Sequence, residues 1–263
     1  MSTLRYAVSD SATMLRRNLR HMQRYPSLTL MLVGIPIIFL LLFVYVLGGT
    51  LGAGIGGASG GRSEYVEYIV PGILLLTVAG AAQGTAISVA MDMTEGIIDR
   101  FRTMDISRAA VLTGHVVGSM IQMMVCTAIV FVVALLIGFR PDATPVEWVG
   151  VLGVLAMITL AFTWLTVALG MSAKSVETAS NSPMPLMLLP FFGSGFVPTD
   201  TMPVGVRWFA DYQPFTPMIE TLRGLLTGTP IGNSAIVSVA WCAVITLGGY
   251  VWALASYNRM TVR

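Results

Sequence analysis

Six intervals of this sequence run without a single Asp, Glu, Lys or Arg: residues 25–61, 68–91, 109–139, 148–173, 178–199 and 224–258. Each is long enough for the roughly 20 apolar residues that a helix needs to cross a bilayer. Soluble domains carry about 25% charged residues and seldom leave such gaps; here 11% of residues are charged and 55% are hydrophobic. Inside lipid every backbone polar group has to be satisfied within its own segment, so the intervals are expected as helices. The expected fold class is an all-α membrane protein with six transmembrane helices, residues 1–263 forming one transmembrane domain.

Six crossings put both termini on one side, and the cations say which. Arg5, Arg16, Arg17, Arg20, Arg24, Arg100, Arg102, Arg108, Lys174, Arg259 and Arg263 fall on one face, against Arg62, Arg140, Arg207 and Arg223 on the other. The richer face is expected to be cytoplasmic. The net charge of +2 hides this asymmetry, and no basic patch interleaved with stacking aromatics points to nucleic acid. Cys126 and Cys242 fall mid-span and read as small buried hydrophobes, not as a disulfide or metal pair. The first interval is not expected to be a cleaved signal, because a polar segment precedes it and its core, 28–47, exceeds a signal h-region.

Residues 4–25 place Leu4, Val8, Ala12, Leu15, Leu19 and Met22 in one helical sector beside a sector of arginines. That pattern predicts an amphipathic helix lying on the membrane surface, with Pro26 at the corner. Gly34 and Pro36 predict a kink in the first span. The glycine-rich stretch 48–61 spaces Gly52, Gly54 and Gly57 like a nucleotide loop, but it lacks the strand-turn-helix setting and is expected as a flexible outer loop. In the second span, with Pro71 in its first turn, Gln83 either faces a substrate pathway or bonds a neighbouring helix. His115, near the start of the third span, reads as an interfacial hydrogen-bonding residue. Pro183, Pro185 and Pro190 interrupt the fifth interval, which is expected as a kinked full crossing that starts before Asn181. Between it and the last span, Pro203 and Pro217 open two short outer helices, with Trp208, Phe209 and Phe215 sinking them at the interface and Gly228 ending the second.

The charged residues are concentrated in one island, 92–108, where Asp92, Glu95, Asp99, Arg100, Arg102, Asp105 and Arg108 interrupt the apolar runs. Ile97, Phe101 and Met104 share one face at helical spacing, opposite Asp99, Arg102 and Thr103. A helix of about two turns, roughly 12 Å long, fits there. A solvated connector would also turn the chain around, but a connector has no need of an aromatic-centred apolar stripe, and docking into a partner's groove is the favoured reading. The turn GMSAKS around Lys174 resembles a phosphate-binding loop only superficially, since Ala168 and Ala173 stand where both glycines are required. Energy for any ATP-driven work therefore has to come from another chain.

Three blocks carry a resemblance: MQRYPSLTL (22–30), EGIIDRFRTMDISRAAVLTGH (95–115), and FVPTDTMP (196–203) with YQPFTPMIETLRGLLTG (212–228). Together they resemble permease subunits of type-two ABC exporters of the daunorubicin-resistance kind. The resemblance implies that Glu95, Gly96, Arg100, Phe101, Arg102, Ile106, Ser107 and Arg108, with the stripe residues Ile97 and Met104, form a coupling helix in a cleft of a separate ATPase subunit. It further implies that residues 1–25 form a connecting helix, 92–108 the cytoplasmic coupling loop, and Pro203 to Thr227, within an outer short-helix segment 199–232, the re-entrant helices. The implied assembly is two permeases, identical or related, with two ATPase chains that bind the ATP, in a bacterial plasma membrane. No catalytic, metal or cofactor site is expected on this chain itself. An amphiphilic substrate such as a drug would pass a mostly apolar cavity, for which Gln83, Gln122, Asn181 and Phe192 are the pathway candidates. Alternatives are an ABC exporter of a lipid or glycan, and a proton-coupled secondary exporter, which normally needs carboxylates within its spans. An intramembrane enzyme lacks paired acids or an activated nucleophile, and a channel lacks a filter motif.

Overall fold

A computed structural model describes residues 26–56, 61–94 and 108–259, and its regular elements are all helical. The expected surface helix at 4–25 and the coupling helix at 97–104 lie outside the described residues. Helix α1 (Pro26–Leu41) passes through a π-helical stretch, Leu42–Leu47, into α2 (Gly48–Gly56). Pro36 stays inside α1, and the irregularity comes after it, at the π-helical stretch. The outer loop expected at 48–61 is thus helical as far as Gly56. Packing overrides the poor helix propensity of its glycines: Leu51 joins the core, and Gly52 lies so close to the Gly61 backbone that a side chain would not fit.

Helix α3 (Arg62–Thr94) is the pillar of the fold, 33 residues or about 50 Å long. It starts earlier than expected, so Pro71 sits in its interior and not in its first turn. Its small residues let neighbours come close, and 78% of its most apolar stretch is buried. Helix α4 (Arg108–Ile137) and helix α5 (Pro145–Ser172) follow. A capping box starts α5: the Thr144 N–H donates to Glu147 Oε2 at 2.7 Å, and the Glu147 N–H donates to Thr144 Oγ1 at 3.4 Å.

The fifth interval is a broken helical path. Helix α6 (Val176–Asn181), capped by the Ser175 hydroxyl, stops before Pro183; α7 (Met184–Leu188) follows and tightens into a 3-10 turn, Leu189–Phe192. The path runs antiparallel to α3, touching it at Gln83 through Ser180 and at Gly72 through Gly195. Eleven residues separate Gly72 from Gln83, a rise of about 17 Å, which falls short of a bilayer core of about 30 Å. Among the described residues five helices are long and apolar enough to cross a membrane: Leu30–Gly52, Arg62–Thr94, Val116–Ile137, Pro145–Ser172 and Ser234–Ser256. The sixth expected crossing is not a continuous helix, because three prolines remove hydrogen-bond donors along it.

A short 3-10 turn, Thr199–Thr201, leads to the outer helices α8 (Val204–Tyr212) and α9 (Phe215–Thr227), and the chain closes with α10 (Ser234–Arg259). Gly228 ends α9 with φ of 70°, a left-handed conformation that suits glycine. The two outer helices do not lie alike at an interface. Trp208 and Phe209 are exposed on α8, whereas Phe215 is fully buried and stacks on Phe162 of α5 at 5.1 Å.

Candidate functional site

Two of the four pathway candidates, Gln83 and Asn181, meet at the proline break. Helix α6 ends at Asn181, which leaves its last carbonyls without partners in their own helix, and Gln83 Nε2 reaches over from α3 to donate to the Ser180 carbonyl at 2.6 Å. Gln83 thus bonds a neighbouring helix, one of the two roles open to it from sequence. Asn181, the next residue along, is exposed. Phe192 sits at the other end of the broken path, half-exposed, and Gln122 is half-buried on α4. The structure therefore brings Gln83 and Asn181 together at the break and puts Phe192 further out.

Phe192, with Pro185, Leu188 and Leu189, forms one wall of a groove of about 450 Å³. Gly205, Val206 and Phe209 of α8 form the other. The wall offers no charged side chain, so it suits an apolar or aromatic surface. Behind it, Phe39 and Phe43 from the first span meet Phe191 and Phe196: ring centroids lie 5.4 Å apart for Phe39 and Phe191, 4.8 Å for Phe43 and Phe196, and 4.4 Å for Phe191 and Phe196. This aromatic cluster joins the π-helical stretch to the end of the broken path. Such contacts stabilise beyond simple burial by about 0.5–1.5 kcal/mol each.

Arg223 is the functional candidate that the sequence reading treated only as one more outer cation. Its Nη2 donates to the Ser194 carbonyl at 2.6 Å and to the Tyr68 carbonyl at 3.2 Å, and its Nη1 pairs with Glu220 Oε1 at 2.6 Å. The guanidinium also lies 3.9 Å from the centre of the Tyr68 ring, within cation–π range. Burying a lone charge costs several kcal/mol, and this set of partners offsets that cost. A signal was present: Phe215, Ile219 and Arg223 fall at i, i+4 and i+8, so helical spacing puts the arginine on the apolar stripe of α9.

Glycines bring the chain together around Arg223. A Cβ on Gly72 would lie 2.5 Å from the Gly195 carbonyl oxygen, and one on Gly193 would lie 2.5 Å from Gln213 Nε2. Gln213 in turn donates to the Leu189 carbonyl at 3.0 Å, at the end of the broken path.

Glu95, Gly96, Ile97, Arg100, Phe101, Arg102 and Met104 lie outside the described residues, and Arg108 opens α4. Among the described residues no group of three His, Cys, Asp or Glu side chains is placed to hold a metal ion, and Cys126 and Cys242 are free and buried.

Residues 11–227 match the model of the ABC-2 type transporter family. Over 225 residues the chain is 31% identical to a daunorubicin resistance ABC transporter permease protein of Streptomyces coeruleorubidus, covering 85% of this chain and 77% of that one. It is 26% identical over 228 residues to a probable doxorubicin resistance ABC transporter permease protein of Mycobacterium tuberculosis, covering 86% and 79%. A Dictyostelium discoideum ABC transporter G family member is 22% identical over 171 residues, 63% of this chain but 23% of that much longer one. With its apolar helices, its broken fifth interval and a match over most of its length, the chain is a multi-pass membrane protein that belongs to the ABC-2 type transporter family.

Proposed function

We propose that this chain is the permease subunit of an ATP-driven exporter of drug-like amphiphiles. The observation that carries the reading is the 31% identity, over most of both chains, to a permease whose name states daunorubicin resistance. The apolar groove beside Phe192 supports it, since a planar aromatic or lipid-like molecule would meet a surface of its own kind there. Gln83, Gln122 and Asn181 supply the sparse polar groups along the way, with Gln83 engaged at the break in the ground state.

The energy arrives from a partner ATPase pair, because the Lys174 turn lacks the phosphate-binding glycines. Glu95, Gly96, Ile97, Arg100, Phe101, Arg102, Met104 and Arg108 form the surface that receives it. ATP-driven closure of the two partners carries this segment along, and a second permease, a copy of this chain or a related one, completes the pathway. Counting the broken path as the sixth crossing, although its run between Ser180 and Gly195 is shorter than a bilayer core, leaves both termini on the cytoplasmic, cation-rich face of a bacterial plasma membrane. The domain plan is a single permease domain with a connecting helix at 1–25, a coupling loop at 92–108 and an outer segment at 199–232.

The test is co-reconstitution with its partner ABC ATPase, with doxorubicin as the probe. Phe101→Ala and Arg102→Ala are expected to abolish probe-stimulated ATP hydrolysis while membrane insertion stays intact. Unaltered coupling in both variants refutes the docking role of the island.

A further inference from the structure

Arg223 reaches three separate stretches of the chain from inside the protein: its own helix α9, the outer part of α3 at Tyr68, and the turn after the broken path at Ser194. The same place holds a close backbone approach between that turn and α3, at Gly72 and Gly195. Glu220 faces the guanidinium from its own helix, and Gln213 and Thr216 crowd Gly193 from the other side of the turn. Here α9, the turn 193–195 and the outer end of α3 have no room to slide on one another.

Helix α8 is held differently. Its arginine, Arg207, pairs with Asp200 at 2.7 Å and Asp211 at 3.7 Å, all three exposed and all within the outer segment itself. Towards the broken path it leaves the apolar groove of about 450 Å³ in place of a packed seam. Seams with few buried contacts open at lower free energy than packed ones.

We propose that Arg223 is a positioning residue of the transport cycle. It straps α9, the turn 193–195 and the outer end of α3 into one rigid block, so that the outer side opens by α8 moving against that block along the groove. The cycle in this statement rests on the exporter reading above; the block does not. A lysine keeps the charge but not the forked donors that reach two carbonyls and a carboxylate together.

Spin-label distance measurements on the full complex in nanodiscs test this. Labels go on cysteines at Ser63 and Thr229, both exposed, to report the α3–α9 distance, and at Ser63 and Val204 to report α8. The buried Cys126 and Cys242 are first replaced by alanine. The 63–229 distribution is expected to be single, narrow and the same without nucleotide and after trapping with ATP and vanadate, while the 63–204 distance shifts by several ångströms. Arg223→Ala is expected to broaden the 63–229 distribution at least twofold, and Arg223→Lys to broaden it less. A 63–229 distance that moves with nucleotide in the parent protein, or stays as narrow in Arg223→Ala, overturns the strap. Should Arg223→Ala fail to accumulate, Arg223→Lys and Tyr68→Leu replace it, the second removing the ring and keeping the backbone acceptor; distributions as narrow as the parent's in both overturn it equally. An unmoved 63–204 distance in a complex that hydrolyses ATP overturns the assignment of the opening to α8. A complex that hydrolyses no ATP fails the exporter reading instead, and the nucleotide-free widths still decide the strap.

Discussion

Helices α8 and α9 follow one another with only Gln213 and Pro214 between them, and both space apolar residues along one helical stripe, yet the molecule uses them in opposite ways. On α8, Val204, Val206, Trp208, Phe209 and Tyr212 are exposed and Ala210 is buried. On α9, Phe215, Met218, Ile219, Leu222 and Leu226 are all buried, and so is Arg223. The difference lies in what the polar side chain of each helix can reach. Arg207 pairs with exposed carboxylates, a type of contact that contributes about 0–1 kcal/mol. Arg223 meets two backbone carbonyls, a glutamate and a tyrosine ring inside the protein. Amphipathic spacing sets which stripe of a helix is apolar, but the partners waiting for its polar groups decide whether the helix goes inside.

The largest expected effect breaks the comparison at its aromatic centre. Phe215→Ala removes a fully buried ring stacked on Phe162 and is expected to destabilise by about 3–5 kcal/mol. Trp208→Ala, an even larger deletion on the neighbouring helix, is expected to stay within about 0.5 kcal/mol. Thermal unfolding in detergent, followed by monodispersity, reads both. Equal losses would mean that α8 is packed as tightly as α9 and would remove the contrast.

Much of the fold was legible because lipid leaves so few options. The charge-free intervals became helices, and five of the six became continuous helices long enough to cross. The capping residues that start α5 and the glycine that ends α9 act through local geometry and could be read locally. What could not be read depends on distant partners. The glycine-rich stretch at 48–56 is helical because α3 packs on it, and nothing within the stretch announces α3. Three prolines in 183–190 announced an interruption, but the antiparallel run along α3 that shortens this path is set by contacts at Gly72 and Gln83, more than ninety residues away. Gln83 was recognised as an intramembrane polar group with two open roles, and its partner, the Ser180 carbonyl, is created by the break itself. Arg223 was counted for its charge, although its place on the stripe of Phe215 and Ile219 was visible in the spacing.

An intermediate effect comes from the first of two glycine-to-alanine substitutions, one in each outer helix. A methyl group on Gly224 of α9 would run into the Ile231 side chain and lie 2.9 Å from the Thr229 carbonyl oxygen. Gly224→Ala is therefore expected to cost about 1–3 kcal/mol, as overpacking does, and the loss is checked by the same unfolding measurement. A neutral result would show that the turn after α9 yields, and that the buried helix is less confined than its burial implies.

The smallest effect has the opposite sign and separates fold from transport. A Cβ on Gly205 of α8 meets no atom within 4 Å, and the residue does not adopt a left-handed conformation. Gly205→Ala is expected to stabilise by about 0.4–1 kcal/mol, because alanine loses less backbone freedom on folding. The added methyl nevertheless stands on the wall of the groove that Phe192 faces. A substrate that uses the groove then loses contact area or room in every bound state alike, which raises the half-saturating concentration of doxorubicin and leaves the maximal export rate unchanged. Unchanged values of both, in a protein that has become more stable, would take Phe192 off the pathway and assign the exposed apolar residues of α8 to lipid. A lowered maximal rate with unchanged saturation would place the groove in the moving seam, where a single methyl stiffens α8 against the block held by Arg223.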